Sequence, residues 1–210
     1  MTEASTGDER RQRVRMDISR AAARLFWEQG LAGTTGEQIA EAVGVSTRTV
    51  WRHFRSKEAC AEAVVAQSVE TFVEMLRDWP AHRSMEQQLA HKVADRYRQE
   101  PFYDADDIAA MQMIALGLTE PALRTAWLMA CDQAERELVA IIAARLDRSP
   151  DDLEVRLHVA AAGGALRVIN ETISAEYLAG TPMDRISNPY GQFARAMRKV
   201  TGGFIGDPVG

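Results

Sequence analysis

The chain has 210 residues, 46% apolar and 26% charged, with a formal net charge of −5, proportions ordinary for a soluble globular protein. No apolar run reaches the roughly 18 residues that a bilayer span needs, and the polar, charged N-terminus has no apolar stretch of the kind that directs secretion. Cys60 and Cys131 lie far apart, which argues against a disulfide framework or a zinc site and for buried thiols in a reducing, cytoplasmic protein.

Residues 1–57 carry 10 basic and 7 acidic side chains, a net of +3, whereas residues 58–210 carry 15 and 23, a net of −8. The whole chain repels polyanions, but its first quarter need not. A chain of this length can bury one good core, or divide into a small domain and a larger one. Almost every segment follows a helical period and none shows strand alternation, so the expected class is all-α, with about nine helices.

Residues 1–9 are small and polar, without an apolar repeat, and read as a disordered arm. Val14, Ile18, Ala22, Leu25 and Phe26 form the stripe of a first helix, which Gly30 stops. Thr35 and Gln38 make a capping-box pattern for a second, with Ile39 and Val43 turned inward. Ser46 caps a short third helix anchored by Val50 and Phe54. Ser56 caps a longer fourth, which runs to Trp79-Pro80 with the stripe Ala61, Val65, Val69, Phe72 and Leu76. At about 1.5 Å per residue it is a rod of about 30 Å, enough to leave one domain and enter another. Ser84 and Gln87 open a fifth helix that Pro101 closes, and Asp104 caps a sixth that ends at Gly117. A seventh runs from Pro121 to about Asp147, an eighth from Ser149-Pro150 to near Gly180, and a ninth from Asn188-Pro189 to Gly202-Gly203.

The glycine-containing turn Val43-Gly44-Val45-Ser46 between two short amphipathic helices is a helix-turn-helix signature. With Val50 and Phe54 inward, the helical step puts Arg48 and Arg52 on the opposite side, flanked by Thr49 and Trp51, with Thr47 in the first turn. Arginine can pair bidentately with guanine, and threonine offers a hydroxyl or a methyl group to a base edge. Lys57, beside the free N–H groups after Ser56, suits a phosphate at a helix start. Arg10, Arg11, Arg13 and Arg15 form a basic arm able to reach phosphates or a narrow minor groove. A helical hairpin with a solvated basic face is the other reading of this spacing. Against it, no carboxylate lies between Glu41 and Glu58, whereas ordinary exposed faces mix their signs.

The segment GTTGEQIAEAVGVSTRTVWRHFRSKEA, preceded by LFWEQG, resembles the DNA-binding domain of the tetracycline-repressor (TetR) family of bacterial regulators. The resemblance implies a three-helix helix-turn-helix domain over residues 10–57. A long fourth helix would join it to a C-terminal helical bundle over 58–205 for effector binding and dimerisation. It further implies a homodimer paired through helices eight and nine, and a fourth helix that moves when a small molecule binds. By position, Thr47, Arg48, Thr49, Trp51, Arg52, His53 and Lys57 fall on the family's DNA-contacting sites. Trp51 stands where the family usually has tyrosine; its indole N–H can donate to phosphate but cannot accept.

In the later part, Met111, Met113, Trp127, Met129 and Cys131 form a soft cluster that suits a pocket for an apolar guest or an ordinary core. The expected pocket is bordered by the fourth, seventh and eighth helices, with Phe72, Trp127 and Cys131 near it and Asn170 as polar anchor. Phe193, Met197 and Val200 share a face of the ninth helix and are expected in a dimer interface.

No HExxH, GxSxG, CxxC or glycine-rich phosphate loop is present, and the four histidines show no metal spacing, so neither an enzyme nor a cofactor is expected. The leading reading is a dimeric repressor released from a palindromic operator by a small, mostly apolar effector. A DNA-binding regulator controlled by a partner protein or by abundance is the alternative. An all-helical enzyme or carrier with a relic DNA-binding domain is a third.

Overall fold

The computed structural model describes residues 3–96, 104–182 and 189–209. Among them there are nine α-helices and no strand: α1 (Glu3–Gly33), α2 (Gly36–Ala42), α3 (Thr47–His53), α4 (Glu62–Arg77), α5 (Met85–Arg96), α6 (Ala105–Leu116), α7 (Pro121–Arg145), α8 (Leu153–Leu178) and α9 (Pro189–Val200). A 3₁₀ turn, Glu58–Ala61, precedes α4. None of these helices is long and apolar enough to cross a membrane. The expected closure of α5 at Pro101 and the Asn188 start signal lie outside the described residues.

Most expected boundaries have a visible cause. Gly30, at φ 77° and ψ 163°, breaks the helical path of α1. The capping box of α2 is complete: Thr35 Oγ1 accepts from the Gln38 N–H and the Gln38 side chain accepts from the Thr35 N–H at 2.8 Å. Ser84 and Gln87 make the same reciprocal pair at the start of α5. Three boundaries differ. The arm expected to be disordered over residues 1–9 is helical from Glu3, where it extends α1. α8 begins at Leu153 rather than at Ser149-Pro150, because Asp152 accepts from the Glu154 N–H and supplies the cap. The fourth helix is not α-helical from Ser56: Ser56 Oγ accepts from the Ala59 N–H and opens the 3₁₀ turn, after which α4 starts at Glu62.

The chain divides into two compact units, Met1–Ser68 with Ala105–Trp127, and Val69–Asp104 with Leu128–Gly210. This division falls inside α4 rather than at residue 57, and it places α6 with the helix-turn-helix segment. In the first unit α1 packs on α2, the 3₁₀ turn and α6 around Ile18, Ala22, Phe26, Ile39 and Val64. Arg20 closes α1 on α6 with two bonds of 2.7 Å to Asp106. Ser19, fully buried, accepts the Val64 N–H at 2.9 Å, satisfying an amide that the first turn of α4 leaves over.

In the second unit α9 packs on α5 and α8. Leu76, Trp79, Met85, Leu138, Ile142, Val159 and Met197 fill its core. Arg145 donates from Nη2 to the carbonyls of Ala81, Arg83 and Asp207 and lies over the Trp79 ring at 4.0 Å. It thereby ties α7 to the turn before α5 and to the C-terminal segment, whose Gly206 carbonyl accepts from the Met85 N–H.

Ser19→Ala is expected to lower unfolding stability by about 1–3 kcal/mol in urea denaturation, because it leaves the Val64 amide buried and unpaired. An unchanged midpoint would remove this bond from the determinants of the first unit.

Candidate nucleic-acid interface

The turn between α2 and α3 reverses in four residues. Gly44 takes φ 66°, a conformation that costs glycine nothing, and the Val45 N–H returns to the Ala40 carbonyl at 3.0 Å. Ser46 then caps α3, its Oγ accepting from the Thr49 N–H at 3.2 Å while the two hydroxyls pair at 3.0 Å. Val50 and Phe54 are buried, so Arg48, Trp51 and Arg52 emerge on the exposed side, with Thr47, Thr49 and His53 half-buried beside them.

This surface has two concave parts. One is a shallow hollow where Thr47, Arg48, Trp51 and Arg52 meet Glu37 of α2. The other is a groove with Arg10, Arg11 and Val14 of α1 on one wall, and Thr49, Arg52 and His53 of α3 on the other. The N-terminal part of α1, from Gly7 to Val14, thus forms one wall of the groove. Arg13 is exposed on the same helix. His53 is held below the ordinary histidine pKa, first by burial and then by the positive charges of Arg52, Arg11 and Arg15.

Three residues carry structural roles that their sequence context did not show. Arg15 turns away from the exposed arginines: it donates to the His53 carbonyl at 3.0 Å, lies 4.5 Å over the Phe54 ring and faces Glu62 at 3.8 Å. Lys57 donates to the Leu31 carbonyl at 2.7 Å and the Thr34 carbonyl at 2.9 Å, binding the end of α1 where a phosphate ligand was expected. Gly36 lies under the Trp51 indole, where an added Cβ would stand 2.2 Å from Cζ2. The indole therefore rests on the first turn of α2, although it is still 44% exposed. Helical spacing marks which side chains share a face; it does not reveal contacts across 23 to 38 residues of chain, as for Lys57 and Arg15.

The residues expected around an effector are divided. Trp127 is buried and ends the first unit, whereas Phe72, Cys131 and Asn170 belong to the second. Phe72 meets Phe193 edge-on at 5.7 Å, and Asn170 donates to the Leu166 carbonyl of its own helix at 3.0 Å. The Cys131 thiol is pushed up to about 12, chiefly by burial, so it is no nucleophile. The methionines also separate: Met111 and Met113 are core residues of the first unit, while Met129 is 60% exposed.

Lys57→Ala is expected to cost about 1–3 kcal/mol of stability, since two carbonyls lose a charged donor. Denaturation without DNA reads this directly. An unaffected midpoint would return the ammonium to phosphate binding.

Comparison with known proteins agrees with the geometry. Residues 18–64 match the model for bacterial regulatory proteins of the tetR family, and residues 84–178 match the MftR C-terminal domain. The HTH-type transcriptional regulator TcmR of Streptomyces glaucescens is 36% identical over 185 residues, covering 84% of this chain and 79% of that one. TtgR of Pseudomonas putida is 35% identical over 69 residues, 33% of each chain. The fold matches that of the fatty acid degradation regulator FadR from Bacillus halodurans, with a TM-score of 0.55 at 18% identity over 90% of this chain and 95% of that one. It also matches GusR of Salmonella enterica, with a TM-score of 0.54 at 22% identity over 90% and 94%. A chain that carries this helix-turn-helix, and aligns with such a regulator over most of its length, belongs to the tetR family of bacterial transcriptional regulators and is a DNA-binding protein rather than an enzyme.

Proposed function

We propose that the protein is a cytoplasmic homodimeric repressor, released from a palindromic operator by a small, mostly apolar effector. The observation that carries the dimer is a stripe on α8. Leu153, Leu157, Val168 and Leu178 are 67, 61, 53 and 49% exposed, and helical spacing puts them on one side with Ala160 and Gly164 between them. Covering each leucine is worth about 1.5–3 kcal/mol, and the small residues allow a second helix to approach. Val200 at the end of α9, 48% exposed, can extend the patch. Phe193 and Met197, expected from the sequence to meet a partner, are instead buried in the core of their own chain.

A dimer presents two copies of α3, and its half-sites should lie about one helical turn apart or somewhat more. Arg48 and Arg52 are assigned to base edges, with Thr47, Thr49 and Trp51 beside them; Arg10, Arg11, Arg13 and His53 are assigned to phosphates. The effector is assigned to the second unit, near Phe72, Cys131 and Asn170. Its influence would run through α4, which continues from one unit into the other, and requires unequal affinity for two positions of that helix. A thermal-shift screen of candidate effectors, followed by release from DNA, separates this reading from a regulator that has no effector.

Arg48→Ala or Arg52→Ala should cost about 1–3 kcal/mol on operator DNA and much less on random DNA, read by anisotropy. Equal losses on both would make these arginines phosphate contacts. Binding should weaken by orders of magnitude from low to moderate salt.

Leu157→Glu should convert the dimer to folded monomers in sedimentation, whereas Phe193→Glu should lower thermal stability by placing a carboxylate in the core. A dimer unchanged by Leu157→Glu would move the interface off α8.

A further inference from the structure

The groove between α1 and α3 gathers Arg10, Arg11, Arg52 and His53 with no carboxylate on either wall. None of the three arginines has a hydrogen-bond or ion-pair partner among the described residues, whereas most other arginines of the first unit do: Arg20 has Asp106, Arg24 has Glu28 and Arg55 has Glu62. The two remaining charges near His53 on α1 and α4 answer each other, for Arg15 faces Glu62, which also holds Arg55 at 2.9 Å. Three unneutralised guanidiniums in one groove repel, and the fold alone gives them nothing to bind. A single anion would relieve all three and would reverse the field at His53.

We propose that this groove holds one backbone phosphate of the DNA, and that His53 takes up a proton from solvent as the phosphate enters, so that binding tightens as pH falls. The inference rests on the assignment of Arg10, Arg11 and His53 to phosphates, and it adds the proton that couples this groove, walled by α1 and α3, to pH. The phosphodiester oxygens accept from the Arg10 and Arg11 guanidiniums and from an imidazolium N–H, while Arg52, assigned to a base edge, contributes only its charge; no bond other than the N–H of His53 is made or broken. In the free protein, burial and the charges of Arg52, Arg11 and Arg15 keep His53 below its ordinary pKa of 6.5. In the complex the phosphate favours the charged ring. Between those two pKa values binding takes up to one proton per subunit, so the added affinity is fully present below the free value and lost as pH rises through the bound value. His82, His91 and His158 all belong to the second unit and lie outside this groove.

The test uses the full chain and a labelled duplex of random sequence, since a backbone phosphate is independent of sequence, with anisotropy read at constant ionic strength. Binding should be several-fold to about ten-fold tighter per subunit at about pH 6 than at about pH 8. His53→Gln should flatten that dependence, and Arg11→Gln should weaken binding at both ends and reduce the salt slope by about 1. NMR titration of the wild-type His53 ring needs no variant and should show its pKa rise when duplex is added. An equal rise with inorganic phosphate alone would assign the groove to free phosphate and overturn DNA as its occupant. A pH slope identical in wild type and His53→Gln, with the ring unmoved by duplex, would overturn the site while leaving α3 as the DNA-reading helix. No binding of the duplex at any pH would overturn both.

Discussion

The seven residues of α3 are too few to hold a helix in water, so the position of every α3 side chain assigned to DNA depends on burying Val50 and Phe54. Those two anchors fix which face emerges. Arg15 then secures the far end, by bonding the last helical carbonyl and covering the Phe54 ring. Lys57 does the same for the segment before α2, clasping the carbonyls of Leu31 and Thr34. Two cations of the basic stretch thus serve as internal clamps, and the arginines left outside are held in place by them.

This arrangement accounts for how an acidic chain presents a positive surface. Several carboxylates of the first unit are matched to particular arginines, as Glu62 is to Arg55 and Asp106 is to Arg20. Arg10, Arg11, Arg48 and Arg52 have no such partner among the described residues. One carboxylate, Glu37, lies at the rim of the hollow beside Arg48. A protein of net charge −5 therefore need not repel DNA at the one surface where the sign is reversed, since at ordinary ionic strength charges beyond about 8–10 Å are largely screened.

The second unit is organised by different means. Its core is aliphatic and aromatic, and its half-buried cation, Arg145, has no carboxylate partner among the described residues but rests on the Trp79 ring and three carbonyls. Its outward face on α8 carries the exposed Leu153, Leu157, Val168 and Leu178, with Ala160 and Gly164 between them. That stripe, unlike Phe193 and Met197 of α9, is apolar surface that folding of a single chain leaves uncovered.

The sequence by itself determined the class, the number of helices, the turn at Gly44, the caps at Thr35, Ser46 and Ser84, and the outward face of α3. These are local matters, decided by a few neighbouring residues and by helical period. Which cations were free and which were clamps could not be read from it, because Arg15 and Arg11 look alike in sequence and differ only in what folds against them. The same holds for Phe193 and Met197, whose apolar spacing is identical whether they face their own core or a partner. The expected disorder of residues 1–9 gives way to helix from Glu3 for a related reason: extending an existing helix avoids the cost of nucleating one. Tertiary structure decided these questions, since burial and pairing are properties of the space around a side chain and not of its place in the chain.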